Sequence, residues 1–529
     1  MSNFSKIFQL FSKGFCKSLI FYFSFYLIFS PLFSFQIFAQ TLPINPVPNN
    51  ATLGTFSNNI PVLNITKPTT SGVSVNKFNN FNVGKEGLIV NNLNLQNYNI
   101  TYKSALSNQH IEFNPNFRDG DAAKIILNEV VSNSKTLMNG YTEIYGRKAD
   151  YIVANPNGIT CNGCGFINTS RLSLITGSSN IVNGDIENFN IASTAELRIN
   201  GIGAENFAFY SSSPADIVSN AIKISGNILS NSDLRILSGN DKYDWKNQDI
   251  SSDNNVNTEL AVDISALGGI KAGNIKIIAT QKGFGINLDG DVIADAGNIE
   301  ITADGEIKVK NLVAKNNIVA TSNDKITAID NGELVSNNVI YFDAEKILLN
   351  KSKLISNDIY LLSNEDFINN TGIVNSNNDL FIGVNGNFVN SSNIISKNNF
   401  ELQVLGNISN KKNANLIAYN DFDIITNNNL ENIGKINTGN NLFISALNLN
   451  NYGQLLSNYD IDLYIGNDLI NYRGSGILAG NDLHLYIGNN LINYKADIYA
   501  GRDLIIEGRD DLNINYQELI QIKLMTIHI

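Results

Sequence analysis

Between residues 270 and 515 the chain alternates apolar and polar residues in short bursts that return at a nearly fixed interval. Each burst opens with Asn or Asp, continues with an aliphatic or aromatic residue, and carries another apolar residue two places on. The copies stand at Asn274-Ile275, Asn298-Ile299, Asn317-Ile318, Asn338-Val339, Asp358-Ile359, Asp379-Leu380, Asn399-Phe400, Asp421-Phe422, Asn441-Leu442, Asp460-Ile461, Asp482-Leu483 and Asp503-Leu504. After a first step of 24 residues, every interval lies between 19 and 22. The clearest pair is DIDLYIGNDLINY (460–472) and DLHLYIGNNLINY (482–494).

Within a burst, Ile461, Leu463 and Ile465 alternate with Asp462 and Tyr464, the period of two expected of a strand. Helical spacing does not persist here. A fixed repeat of about 20 residues is one supersecondary unit, long enough for three short strands and three turns. Stacking such units places apolar residues inside and pairs each backbone with the coils above and below. The pattern therefore predicts an all-β, right-handed parallel β-helix, the hand that parallel crossovers favour. Twelve copies stacked about 4.8 Å apart give a rod on the order of 60 Å for this part. Asn suits the corners of such coils, because it tolerates positive φ and its stacked amides can form ladders. The dense leucine pattern of a leucine-rich repeat is absent, and so is a Gly-Gly-x-Gly-x-Asp calcium repeat.

Residues 41–270 are β-rich but less regular, with strands expected at Gly87–Val90, Lys124–Leu127, Tyr151–Ala154 and Leu172–Ile175. Open strand edges at the end of a solenoid need a cap, which is expected over roughly 41–80. After Asn515 the pattern breaks, and QELIQIKLMTIHI reads either as a short capping strand or as the scar of an interrupted reading frame.

Composition fits a strand-built rod. Charged residues are only 16% of the chain, and six of the nine prolines precede residue 70, leaving a long stretch open to ladder hydrogen bonds. The net charge of −11 offers none of the basic footprint of a nucleic-acid binder. At the N-terminus, Lys6, Lys13 and Lys17 precede the apolar run LIFYFSFYLIF (19–29), and Ala39 precedes Gln40 at a plausible cleavage point. This reads as a signal peptide with a long charged region. The alternative, a membrane anchor, is interrupted by Pro31 and several Ser residues. The domain plan is then a signal peptide over 1–39, a less regular β domain over 40–270, repeats over 271–515 and an atypical tail over 516–529.

The most specific residues lie at 149–177, ADYIVANPNGITCNGCGFINTSRLSLITG. Together with GVSVNKFNNFNVGKEGLIVNN (72–92) and AAKIILNEV (122–130), this stretch resembles the secretion domain of the filamentous haemagglutinin, haemolysin and contact-dependent-inhibition family of two-partner secretion. Asn114-Pro115-Asn116-Phe117 stands where the family usually has Asn-Pro-Asn-Leu, and Asn155-Pro156-Asn157-Gly158 matches its second motif. The resemblance implies passage through the periplasm and an outer-membrane β-barrel transporter with periplasmic recognition domains as partner. Both motifs also read as tight turns, since Pro fixes φ and Gly supplies positive φ. Structural and recognition roles are compatible, and Phe117 keeps the apolar character of Leu.

Cys161 and Cys164 admit three readings: a disulfide formed in an oxidising compartment, a redox pair, or half of a zinc site. The redox reading lacks a βαβ context, and no second Cys or His pair stands nearby to complete a zinc site. The resemblance adds that a subset of the family carries Cys-x-x-Cys here.

Nothing in the chain reads as an active site, metal site or cofactor site. His110, His484 and His528 show no ligand spacing with Cys or Asp, and no phosphate-cradling loop occurs. The Asp residues at 358, 379, 421, 460, 482 and 503 recur at the repeat corner, as turn residues do. Trp245, in the polar segment DKYDWKNQD, reads as a surface-packing residue. The expected product is a non-enzymatic, haemagglutinin-like adhesin, secreted or held at the cell surface, with a host or neighbouring-cell receptor. The alternatives are a truncated delivery part of a haemolysin or contact-dependent toxin and, third, a polysaccharide-active β-helix enzyme.

Overall fold

The alternation of the repeat becomes a parallel stack because every second side chain has only the interior to go to. Ile461, Leu463 and Ile465 are buried while Asp462 and Tyr464 point outward, and Ile461 pairs with Leu483 one coil on. The computed structural model describes residues 44–529 except 55, 98–100, 118–119, 202–206, 253–259, 330, 509–511, 518–524 and 528–529. The expected signal peptide, with Lys6, Lys13, Lys17, residues 19–29 and Ala39, lies outside the described residues, as does His528.

A coil is built from three strands. One example runs through Asp358–Ser363, Phe367–Asn369 and Ile373–Ser376. Each pairs in parallel with its counterpart in the next coil, Leu380–Val384, Phe388–Asn390 and Asn393–Ser396. Three ladders result, here called first, second and third in chain order, and the solenoid makes about 18 turns. One continuous apolar core fills it from Ile44 to Ile506. The four strands expected before residue 270 all take their places, at Leu88–Asn92, Ile125–Val130, Ala149–Ala154 and Thr169–Ile175.

Two details correct the sequence reading. The copy placed at Asn338-Val339 is shifted by one residue. Ile318 pairs with Ile340 and Asn317 with Val339, so Val339-Ile340 opens that coil. A slip of one would turn the buried Ile340 outward, because side chains alternate faces. The signature Asn and Asp residues, moreover, do not adopt positive φ. Among the described non-glycine residues of the repeat that conformation falls on Asn331, Lys351, Asn413 and Lys495. The signature residues act through their side chains. Asp379 Oδ1 accepts from the backbone N–H of Asn399 at 3.2 Å, Asp421 Oδ1 from Asn441 at 3.1 Å and Asp460 Oδ1 from Asp482 at 2.9 Å. A corner carboxylate or amide thus caps an N–H that the bend takes out of the ladder.

A second column, of asparagine alone, lies inside. Asn369, Asn390, Asn410, Asn432, Asn451, Asn471 and Asn493 are all buried at the ends of second-ladder strands. Each of the first six donates its amide to the next side-chain oxygen at 2.8–3.0 Å.

The N-terminal end is covered by antiparallel strands. Asn45–Pro46 runs antiparallel to Val73–Asn80, and Thr52–Leu53 antiparallel to Val62–Asn64. At the other end, Met525–Ile527 adds a parallel rung to Leu504–Gly508.

Two excursions leave the coil and cover its outer faces. Residues 101–117 lie over the third ladder, where Leu106, Ile111 and Phe113 pack with Ile60, Val62, Ile89 and Tyr145. A four-stranded antiparallel sheet, Gly177–Val182, Asp185–Ile191, Lys242–Asp244 and Asp249–Ile250, lies over the first ladder. It buries outward-facing Val73, Leu127, Ile152, Ile175, Val218 and Leu237 beneath Ile186, Phe189, Tyr243 and Trp245.

Candidate secretion-recognition site

The two Asn-Pro-Asn segments form the same device. In each, the first Asn accepts from the N–H of the second through its side-chain oxygen, Asn114 from Asn116 at 3.0 Å and Asn155 from Asn157 at 2.9 Å. In each, the N–H of the fourth residue returns to the first carbonyl, Phe117 to Asn114 at 2.9 Å and Gly158 to Asn155 at 3.1 Å. Pro at the second place presets φ, and no N–H is lost from the turn by having it there. Gly158 has a φ of 115°, which a β-carbon disfavours, and such an atom would also come within 3.0 Å of the Glu196 carbonyl oxygen.

Each turn is clamped to an earlier coil. Asn114 is fully buried, and its amide donates to the carbonyl oxygens of Ile65 at 3.0 Å and Asn91 at 2.9 Å. Asn116 adds a second bond to Ile65 at 3.0 Å. Asn155 is likewise fully buried and donates to Ser134 O and Thr136 Oγ1, both at 2.9 Å. Asn157 reaches Ser132 O at 2.7 Å. Phe117 is fully buried in the core, while Pro115 and Asn116 are exposed. Among the described residues the two turns share no hydrogen-bond partner. Asn155 stands at the corner between the first and second ladders, directly after Ala149–Ala154.

Cys161 and Cys164 flank the next corner, where Gly163 takes a φ of 86°. Their Cα atoms are 5.4 Å apart with the sulfurs at bonding distance, and both are buried. His110 Nδ1 lies 3.2 Å from the Tyr102 carbonyl oxygen, and His484 Nδ1 lies 2.9 Å from Asp462 Oδ1. The recurring corner Asp residues cap backbone N–H groups as described. Among the described residues no three His, Cys, Asp or Glu side chains gather as a metal-holding group, and no helix is long and apolar enough to cross a membrane.

Two buried carboxylates escaped the sequence reading. Asp216 is fully buried and accepts from Arg171 Nε at 2.7 Å, Arg235 Nε at 2.6 Å and Ser173 Oγ at 2.9 Å. Trp245 is not a surface residue. It lies under the added sheet, donates Nε1–H to Ser173 Oγ at 3.1 Å and carries the Arg171 guanidinium 4.6 Å from its ring centre. Burial, with Asp216 alongside, pushes the Tyr243 phenol up. Glu143 clasps the other excursion, accepting from Ser104 Oγ at 2.6 Å and from the N–H groups of Ala105 and Leu106 at 2.8 and 3.0 Å. Both acids lock a cover onto the solenoid, and their partners stand too far off in sequence for spacing to show them.

A family model for the TPS secretion domain matches residues 39–309. The chain belongs to the two-partner secretion family. Its secretion domain takes in both Asn-Pro-Asn turns, the cysteine pair, both covers and the first coils of the regular repeat. The 16S rRNA endonuclease CdiA of Enterobacter cloacae subsp. cloacae is 36% identical over 284 residues, 52% of this chain and 8% of that protein. Toxin CdiA of Escherichia coli is 34% identical over 327 residues, 61% of this chain and 10% of that protein. The chain therefore spans a tenth or less of the length of these relatives. Among solved structures, the filamentous hemagglutinin secretion domain is similar at 23% identity and a TM-score of 0.43, over 60% of this chain and 97% of that one.

Proposed function

We propose that this chain is the exported leading part of a contact-dependent delivery protein. The secretion domain engages an outer-membrane β-barrel transporter through its periplasmic recognition domains, and the coils beyond it form a stalk at the cell surface. The leader over 1–39 takes the chain into the periplasm and is removed after Ala39. The family match over both turns carries this reading. The toxin names of the relatives favour delivery over the adhesin role expected from the sequence. In this reading the chain itself performs no chemistry, and any receptor is met by the stalk or by what it carries.

The geometry supports a particular order of events. In the folded coil the Asn114 and Asn155 amides are buried and fully engaged. The transporter therefore reads these motifs in the extended chain, before the coil closes. Folding outside the membrane then withdraws them, which opposes backward movement. The Cys161–Cys164 disulfide closes one corner in the oxidising compartment, and thiol titration of the exported protein is expected to find neither sulfur free.

The test is secretion from cells producing the full chain with and without the partner outer-membrane transporter. Export that needs the transporter, and that fails when residues 39–309 are replaced by an unrelated β-solenoid segment, supports the assignment. Equal export in its absence overturns it.

A further inference from the structure

Outside the secretion domain, two pairs of tyrosines stack between successive coils. Tyr452 and Tyr472 each follow a residue of the buried asparagine ladder, Asn451 and Asn471, so the ladder fixes them at the same corner one coil apart. Their ring centres are 3.8 Å apart with the planes 10° from parallel. Tyr464 and Tyr486 pair across the first ladder on its outer face, with ring centres 4.3 Å apart and planes 9° from parallel. The neighbouring Tyr472 pushes the Tyr452 phenol up to about 12, and Tyr464 pushes Tyr486 up to about 12.

We infer that Tyr452–Tyr472, and with it Tyr464–Tyr486, is a site of oxidative dityrosine cross-linking that joins adjacent coils. The argument is one of orbital direction. A phenoxyl radical holds much of its spin on the two ring carbons ortho to oxygen, in p orbitals perpendicular to the ring. Two such orbitals overlap when the rings lie face to face, as these do. Each phenol gives up one electron and its hydroxyl proton. The two radicals then form a carbon–carbon bond between ortho positions, and the hydrogen on each new tetrahedral carbon passes to the adjacent oxygen, which restores both phenols. Two tyrosines thus lose two hydrogen atoms in total. Hydrogen peroxide, activated by a haem peroxidase, accepts them and leaves as two waters. Tyr452 is 43% exposed and Tyr464 42%, so the oxidant can reach them and the rings can swing as the bond matures.

The stack makes a prediction that exposure alone does not. Tyr419 and Tyr459 are more open, at 63% and 57%, and would lead if access decided the product. Rings held in contact within one molecule instead react ahead of intermolecular encounters, here by on the order of 100-fold.

The experiment treats the purified full chain with peroxide and a peroxidase, then maps linked peptides by mass spectrometry. The expected product is monomeric, has lost two hydrogens per link, and joins Tyr452 to Tyr472 and Tyr464 to Tyr486. Tyr452→Phe keeps the ring and the fold, and should remove the first link while leaving the second. The same chain unfolded in denaturant should lose the selectivity. Links concentrated at Tyr419 and Tyr459, links between molecules, or a product identical in the folded and unfolded chains would each overturn the inference.

Discussion

Asn410 donates its side-chain amide to the Asn432 side-chain oxygen at 2.9 Å, and Asn432 passes the same bond to Asn451 at 2.9 Å. Both bonds are buried, so neither group can turn to water when its partner is removed. Asn432→Leu should lower the local stability of these coils by about 1–3 kcal/mol, the cost of stranding a buried polar group. Amide exchange in Ile408–Asn410 and Asn448–Asn451 should quicken, and unchanged exchange there would show that the ladder is decorative.

Asn155→Ala removes two clamps onto the preceding coil, to Ser134 O and Thr136 Oγ1. The folded domain should lose about 1–3 kcal/mol, and secretion should fall when the transporter is present. Normal secretion of this variant would remove the motif from the recognition reading. Binding of the unfolded variant to the transporter's isolated periplasmic domains separates recognition from folding, because a purely structural Asn155 leaves that binding unchanged.

Asp216→Ala leaves the Arg171 and Arg235 guanidinium groups facing each other without the carboxylate that both contact. Breaking a buried ion pair from one side costs about 3–5 kcal/mol. The loss should appear as opening of the added sheet, with faster exchange in Gly177–Val182 and Lys242–Asp244 and a rise in Trp245 solvent exposure. The repeat coils should be unaffected, and loss of structure there would contradict a purely local lock.

Acid should act on the carboxylates that cap backbone N–H groups at the bends. The backbone N–H of Asn387 holds the Asp366 carboxyl below the usual aspartate value of 3.8, and a hydrogen bond from Arg502 does the same for Asp482. A carboxylate depressed in the fold stabilises it fully above 3.8, and that contribution disappears as pH falls through the lower folded value. Exchange at the Asn387 and Asp503 amides should therefore accelerate in strong acid, and Asp366→Asn should remove the dependence at Asn387. Asp423 works in the opposite direction: burial and its neighbour Glu401 push it up, so its protonation relieves the fold.

The fold was legible because its information is local and repeated. Spacings of 19–22 residues became the register of the ladders, and the turn chemistry of Asn155-Pro156-Asn157-Gly158 became the observed turn. The buried asparagine column was equally present in the sequence, as an apolar residue two places before each ladder Asn. It was hidden by the more conspicuous Asn and Asp of the corners. The Asp216 lock could not be read at all. Arg171 and Trp245 stand 74 residues apart, and Arg171 and Asp216 45 apart, with no period linking them. Trp245 looked exposed because its neighbours in sequence are polar, whereas its burial is set by the face onto which the sheet folds.

Because each coil of the regular repeat is bonded to the one before and the one after, the cross-section of that part does not depend on how many coils there are. Duplication or loss of one whole unit would leave each remaining unit with the same two neighbours and the three ladders unbroken. Reach can then be tuned by recombination between near-identical segments such as 460–472 and 482–494, without any new packing problem to solve.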